Sequence, residues 1–236
     1  MDAARVLEEF IRISGRKDLE SPDSSGVSRA YGFINQAQTW LDDHLEHPGL
    51  LLRHPFKLEP GESVLYLERL RYVDWIRILD QGNWREVGQV EAEELLYRPK
   101  SMHPGAPRWY AHHTGVLDPS IVGFDPEEWE GSEGILTEDS YGKDLLIFAP
   151  APSETHELEL HGAFYSKGLQ TNNDTSFWTR AYPHLLIETA LYHLEVSYRN
   201  TQGANDWMES IQRKLMSIEK NIVNRELSHG NRTMMR

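Results

Sequence analysis

Cysteine is absent from all 236 residues. That one absence removes disulfides, zinc–thiolate centres, iron–sulfur clusters and thiol nucleophiles, and leaves packing or assembly to stabilise the chain. Long apolar runs are missing too. No stretch reaches the ~18–20 residues of a bilayer span, and the first residues carry no basic, apolar leader pattern, so the chain is expected to be soluble, off the general secretory route and without membrane contact. Basic charge is scarce, with 24 Lys and Arg against 37 Asp and Glu and a formal net charge of −13. A nucleic-acid binder needs a basic surface to neutralise phosphates, and nothing in the sequence supplies one.

Catalytic motifs are missing as well. There is no phosphate-cradling glycine loop, no Gly-x-Ser-x-Gly elbow and no Glu-x-x-His pair on a candidate bundle helix. The nearest approach to a metal site is His156-Glu157-Leu158-Glu159-Leu160-His161. A zinc-protease motif needs its two histidines one helical turn apart, whereas these are five residues apart. Read as a strand, the alternation puts Glu157, Glu159 and His161 on one face and His156 with Leu158 and Leu160 on the other. His112 and His113 would likewise point to opposite faces. No catalytic residue, metal ligand or cofactor is therefore expected, and the chain is read as not an enzyme.

What is present is uneven charge and clear periodicity. Residues 118–159 hold twelve acidic side chains, Glu127, Glu128 and Glu130 among them, against a single Lys143. The bland reading is a solvated acidic surface; the sharper one is a wall that repels DNA. Residues 3–13 place Ala3, Leu7, Phe10 and Ile11 on one helical face, with Gly15 as the stop. A polar, turn-rich loop over 16–27 follows. Ser28 is read as the cap of a second helix to about Leu45, with Tyr31, Ile34, Ala37 or Gln38, Leu41 and Leu45 in line and Pro48-Gly49 ending it. Near the other end, Pro183 suits the first position of a helix over 184–199, whose stripe is Leu186 or Ile187, Ala190, Leu191, Leu194 and Tyr198. Residues 200–203 stop it. A further helix from about Ala204 carries Met208, Ile211, Leu215, Ile218 and Ile222 in steps of three and four. The tail 228–236, with Arg232 and Arg236, Gly230 and few apolar groups, is expected to be flexible until a partner orders it.

The middle has strand texture. Residues 63–68, 73–79, 108–113, 144–149 and 155–161 read as strands, 80–83 as a turn and 91–97 as a short helix. These elements predict an α+β chain: a four-helix bundle built from both chain ends, carrying an inserted β-sandwich or barrel-like domain. The divisions are 1–49 and 166–227 for the bundle, 50–165 for the insert and 228–236 for the tail.

Several short motifs fall in a telling order. Ile34, Asn35 and Ala37 lie in the second helix, Pro150 and Pro152 follow a strand, and Trp178, Tyr182 and Pro183 introduce the helical hairpin. In this order the chain resembles the head-to-tail adaptor (connector) family of short-tailed phages, which docks beneath the portal; the likeness covers both ends and thins over 80–140. The resemblance implies a structural virion protein, assembled in the host cytoplasm as a ring of about twelve copies closed by head-to-tail contacts. Its partners would be the portal protein, tail nozzle or fibre proteins and further copies of itself, with DNA passing through without specific binding. Glu127, Glu128 and Glu130 would then face the channel, and Arg232 and Arg236 would dock a partner. A reading from another class is a β-sandwich recognition module, for instance a carbohydrate-binding virion or cell-surface protein, with Trp75, Trp84, Trp109 and Trp129 as stacking platforms.

Overall fold

A computed structural model describes residues 1–22, 26–97, 104–114 and 143–233. The chain divides into two compact units, Met1–Leu50 with Ser166–Arg236, and Leu51–Tyr165.

In the first unit, α1 (Ala3–Ser14) starts at Asp2, whose carboxylate accepts from the Arg5 N–H, and ends at Gly15, whose φ of 67° is the left-handed stop that only glycine adopts without strain. Helix α2 follows (Ala30–His44). Ser28 does not cap it as expected; its hydroxyl donates 2.8 Å to the Leu19 carbonyl and ties down the preceding loop instead. After the β unit, α4 (Phe177–Ala181) opens with a capping box between Ser176 and Thr179. Tyr182, at φ −137° and ψ 53°, breaks the helical path, and α5 (Pro183–Ser197) restarts with proline in its first turn. Helix α6 (Thr201–Thr233) completes the unit.

Helix α5 is buried nearly all round, through Leu185, Leu186, Ile187, Thr189, Ala190, Leu191 and Leu194, because α1, α2, α4 and α6 all pack on it. That arrangement corrects the expected four-helix bundle: among the described residues five α-helices form the unit, with one central helix in place of four equivalent amphipathic ones. Tyr198, expected in the α5 stripe, is 51% exposed and lies beneath the Arg16 guanidinium at 4.3 Å. The segment from 228, expected to be flexible, continues α6 as helix through Thr233.

A polar stripe on α2 holds the returning chain. Asn35 accepts 2.8 Å from the Leu169 N–H and donates 3.0 Å to its carbonyl, standing in for a backbone partner. Gln38 donates 3.3 Å to the Lys167 carbonyl. Asp42, fully buried, accepts from the Ser166 N–H (2.7 Å), the Ser166 hydroxyl (3.1 Å) and the indole N–H of fully buried Trp178 (2.7 Å). A buried carboxylate is tolerable only when its lone pairs are filled in this way.

Among the described residues of the second unit the strands form one seven-stranded sheet, in the order β1-β7-β3-β4-β5-β6-β2. The strands are β1 (Leu51–Leu58), β2 (Val64–Glu68), β3 (Leu70–Asp80), β4 (Asn83–Gln89), β5 (Trp109–Thr114), β6 (Lys143–Ala149) and β7 (His156–Phe164), and a short helix α3 (Ala92–Tyr97) lies between β4 and β5. Pairing is antiparallel except for β4 with β5. The sheet curls round one core of Leu58, Leu67, Ile76, Ile78, Tyr110, Leu146, Phe148, Leu158 and Leu160, and Phe56 of edge strand β1 comes within 6.0 Å of the Phe148 ring on β6. Of the two forms expected for the insert it is the barrel-like one, a nearly closed barrel rather than a sandwich, within a mixed α and β architecture. Pro55 is admitted in β1 because β1 is an edge. The β3–β4 hairpin turns through Gln81 and Gly82, both at positive φ, as a two-residue hairpin loop demands.

Candidate functional site

Of the expected site residues, Glu127, Glu128, Glu130 and Arg236 lie outside the described residues, as does Trp129. Arg232 falls in the last turns of α6. The described part of the acidic stretch is split by strand alternation. Asp144 points into the barrel with His112 and is 8% exposed, its Oδ1 3.0 Å from His112 Nε2. Glu157 and Glu159 point outward, 3.5 Å from Lys57 and 3.9 Å from Arg53. His156 is buried opposite Leu58, while His161 is on the outer face, so the two histidines cannot share a metal. Among the described residues no group of three or more His, Cys, Asp or Glu side chains is placed to hold a metal ion. No described helix is long and apolar enough to cross a membrane.

Two surfaces stand out. The first is the outer face of β1, β7, β3 and β4. Between Val73, opposite Gly162, and Trp75, opposite His161, β3 holds one residue too many for its partner, a bulge centred on Asp74. The bulge lets Asp74 and Trp75 both reach His161: His161 Nδ1–H donates 2.9 Å to Asp74, and the Trp75 and His161 rings stack at 5.0 Å. The Arg77 and Arg53 guanidiniums lie 4.2 and 5.8 Å from the centre of the indole. Trp75 is thus already engaged. Beside it is a depression of about 310 Å³ lined by Pro55, Phe56, Lys57, Trp84, Glu157, Leu158 and Glu159, to which Trp84 contributes from β4 although β3 lies between. Trp84 is 50% exposed. Trp109 lines a different cleft, of about 730 Å³, with Asp80, Arg85 and Arg108 at the β4–β5 seam, where Arg85 donates 2.9 Å to the Pro107 carbonyl. Nothing in the sequence marked Trp84 apart from the other tryptophans; only its register, opposite Leu79 on the outer face, does so.

The second surface is on the helical unit. Helix α6 packs on α5 through Ile211, Leu215 and Ile218, tied by Lys214 Nζ donating 2.6 Å to Glu188. Beyond Ile218 the described side chains are exposed or half-buried, and Met216 and Val223 are 67% and 52% exposed.

A shallow groove between α2 and α5 holds one titratable group out of its usual range. His193 Nε2 is buried with no hydrogen-bond partner, and burial pushes its pKa below the ordinary 6.5. A neutral histidine favoured by folding means that the unfolded chain binds more protons below pH 6.5. The contribution is present above that pH and is lost as pH falls from it towards the folded value. Thermal melts of the wild type are expected to drop over this window, and His193→Phe, which cannot be protonated, is expected to flatten that limb; identical pH profiles would refute it.

No protein-family model matches the chain, and no curated protein matches it in sequence.

Proposed function

We propose that this chain is a structural subunit of a short-tailed phage neck, a head-to-tail adaptor that forms a ring of about twelve copies beneath the portal. Portal and tail nozzle or fibre proteins are its partners, and DNA crosses the ring without specific binding because the acidic surplus of 118–159 repels it. The observation that carries this reading is the length of α6. At 1.5 Å per residue its 33 residues span about 50 Å, whereas the 15 residues of α5 span about 22 Å. Among the described residues after Ile218, Ile222 alone packs, half-buried, against the helical core, and a helix in a protein draws most of its stability from packing of one face rather than from propensity. A neighbouring subunit supplies that packing in a ring, and the order of motifs at both chain ends supports the same reading.

Deleting residues 225–236 tests it. The monomer is expected to keep its melting temperature within about 3 °C, since the deletion leaves Ile211, Leu215, Ile218 and Ile222 in place against the core. Mixed with portal, the full chain is expected to form rings visible by electron microscopy and the deletion variant none. Rings of unchanged number and symmetry from the shortened chain would sink the reading.

A further inference from the structure

We propose that the outer barrel face at Trp84 is a binding subsite for an uncharged, hydroxyl-rich saccharide. The proposal stands apart from ring assembly and rests on different residues. Trp84 is 50% exposed on a strand, so its indole presents a flat apolar face on a rigid backing. The C–H face of a pyranose ring carries weak positive polarity that matches the negative face of an indole, and stacking there removes apolar surface of both from water. Beside it, Glu157 and Glu159 are two apart on β7 and project the same way, giving two carboxylates at a spacing of about 7 Å to accept hydroxyl protons. Lys57 adds a donor.

These polar groups are available. The Lys57–Glu157 pair is 3.5 Å apart with side chains 62% and 56% exposed, a solvated contact that exchanges for sugar hydroxyls at little cost. Charge chooses among ligands. Glu157 and Glu159 are matched by Lys57 and Arg53, so the depression carries no surplus of positive charge to hold a polyanion, which argues against nucleic acid and sulfated glycans. Pro55 in the adjoining edge strand removes a backbone donor and blunts pairing with an added peptide strand. Trp84 shares the depression with Pro55, Phe56 and Leu158, but Lys57, Glu157 and Glu159 interrupt that apolar lining, unlike the contiguous apolar patch of a protein interface.

The test uses the full chain and follows the Trp84 indole N–H resonance, assigned with Trp84→Phe, during titration with chitohexaose, cellohexaose, maltohexaose and a heparin hexasaccharide. At least one neutral oligosaccharide is expected to shift it with a dissociation constant in the micromolar to millimolar range. Trp84→Ala is expected to weaken that binding at least about tenfold and Glu157→Gln about threefold or more, each with an unchanged melting curve since both side chains are exposed. Four results overturn the proposal: no shift with any neutral sugar at about 10 mM, undiminished binding by Trp84→Ala, binding of the heparin fragment alone, or loss of ring assembly in Trp84→Ala, which would make the face a subunit contact.

Discussion

Replacing Asp42 with alanine is expected to lower the melting temperature of the helical unit by about 10 °C or more, with a loss of about 3–5 kcal/mol. The carboxylate is fully buried and satisfies the Ser166 N–H, the Ser166 hydroxyl and the Trp178 indole N–H. Truncation strands those donors without water, which costs more than the bonds themselves contributed. It also frees the point at which the chain, returning from the β unit, is fastened to α2. Asp42→Asn keeps the shape and one acceptor oxygen but brings two donors of its own, so a smaller loss is expected. The helical circular-dichroism signal on heating reads both, with exposed Glu219→Ala as the control that should change stability by less than about 0.5 kcal/mol. Asp42→Ala melting like wild type would mean that the network contributes nothing.

Gly162→Val is expected to damage the other unit as severely. Gly162 sits in β7 between Leu52 of β1 and Val73 of β3, at the register shifts that make room for the bulge. A Cβ there would lie 2.5 Å from the Tyr72 carbonyl oxygen and 3.3 Å from the Val73 Cα, both backbone, so neither can rotate aside. The β3–β7 ladder must part, and overpacking of this kind costs about 3 kcal/mol or more. The expected readout is loss of amide protection across β3 and β7 in hydrogen exchange. Gly32→Ala provides the contrast: nothing lies within 4 Å of the added methyl, α2 gains a better helix former, and stability is expected to hold or rise by up to about 1 kcal/mol. Full protection in Gly162→Val would refute the steric argument.

Legibility in the sequence followed the cause of each element. Strands β2, β3, β5 and β6 are enriched in β-branched and aromatic residues and β7 alternates leucine with charged residues, so these five are legible in the sequence. Strand β1, Leu-Leu-Arg-His-Pro-Phe-Lys-Leu, has no β-branched residue and contains proline; only its position at an edge makes it a strand, and position is a tertiary fact. Strand β4 is defined by the turn that precedes it as much as by its own residues. Barrel against sandwich could not be read, because curvature arises from pairing between distant strands. The stripe of α5 was visible, but burial on nearly every side depends on four helices converging. Asn35, Gln38 and Asp42 recur at helical spacing, but amid apolar neighbours spacing alone does not tell a buried polar stripe from a solvated one. Trp84 and Trp75 look alike in sequence, and only register and the bulge decide which indole is engaged and which is open.

The pairing of β1 with β7 has a consequence for how such a chain can change over time. Leu51, the first residue of the β unit, is the direct partner of Ala163, about 5 Å away and two residues before the unit's last, Tyr165, so the chain leaves and rejoins the helical unit at one edge of the sheet. To the helices the whole insert is one surface loop with its ends already together, and the entropy of closing a loop grows only with the logarithm of its length. A barrel held in this way is interchangeable: it can be enlarged, exchanged for another fold with adjacent ends, or reduced to a short bridge without rewriting the core on α5. The helices and the barrel face can therefore follow separate selective histories within one gene.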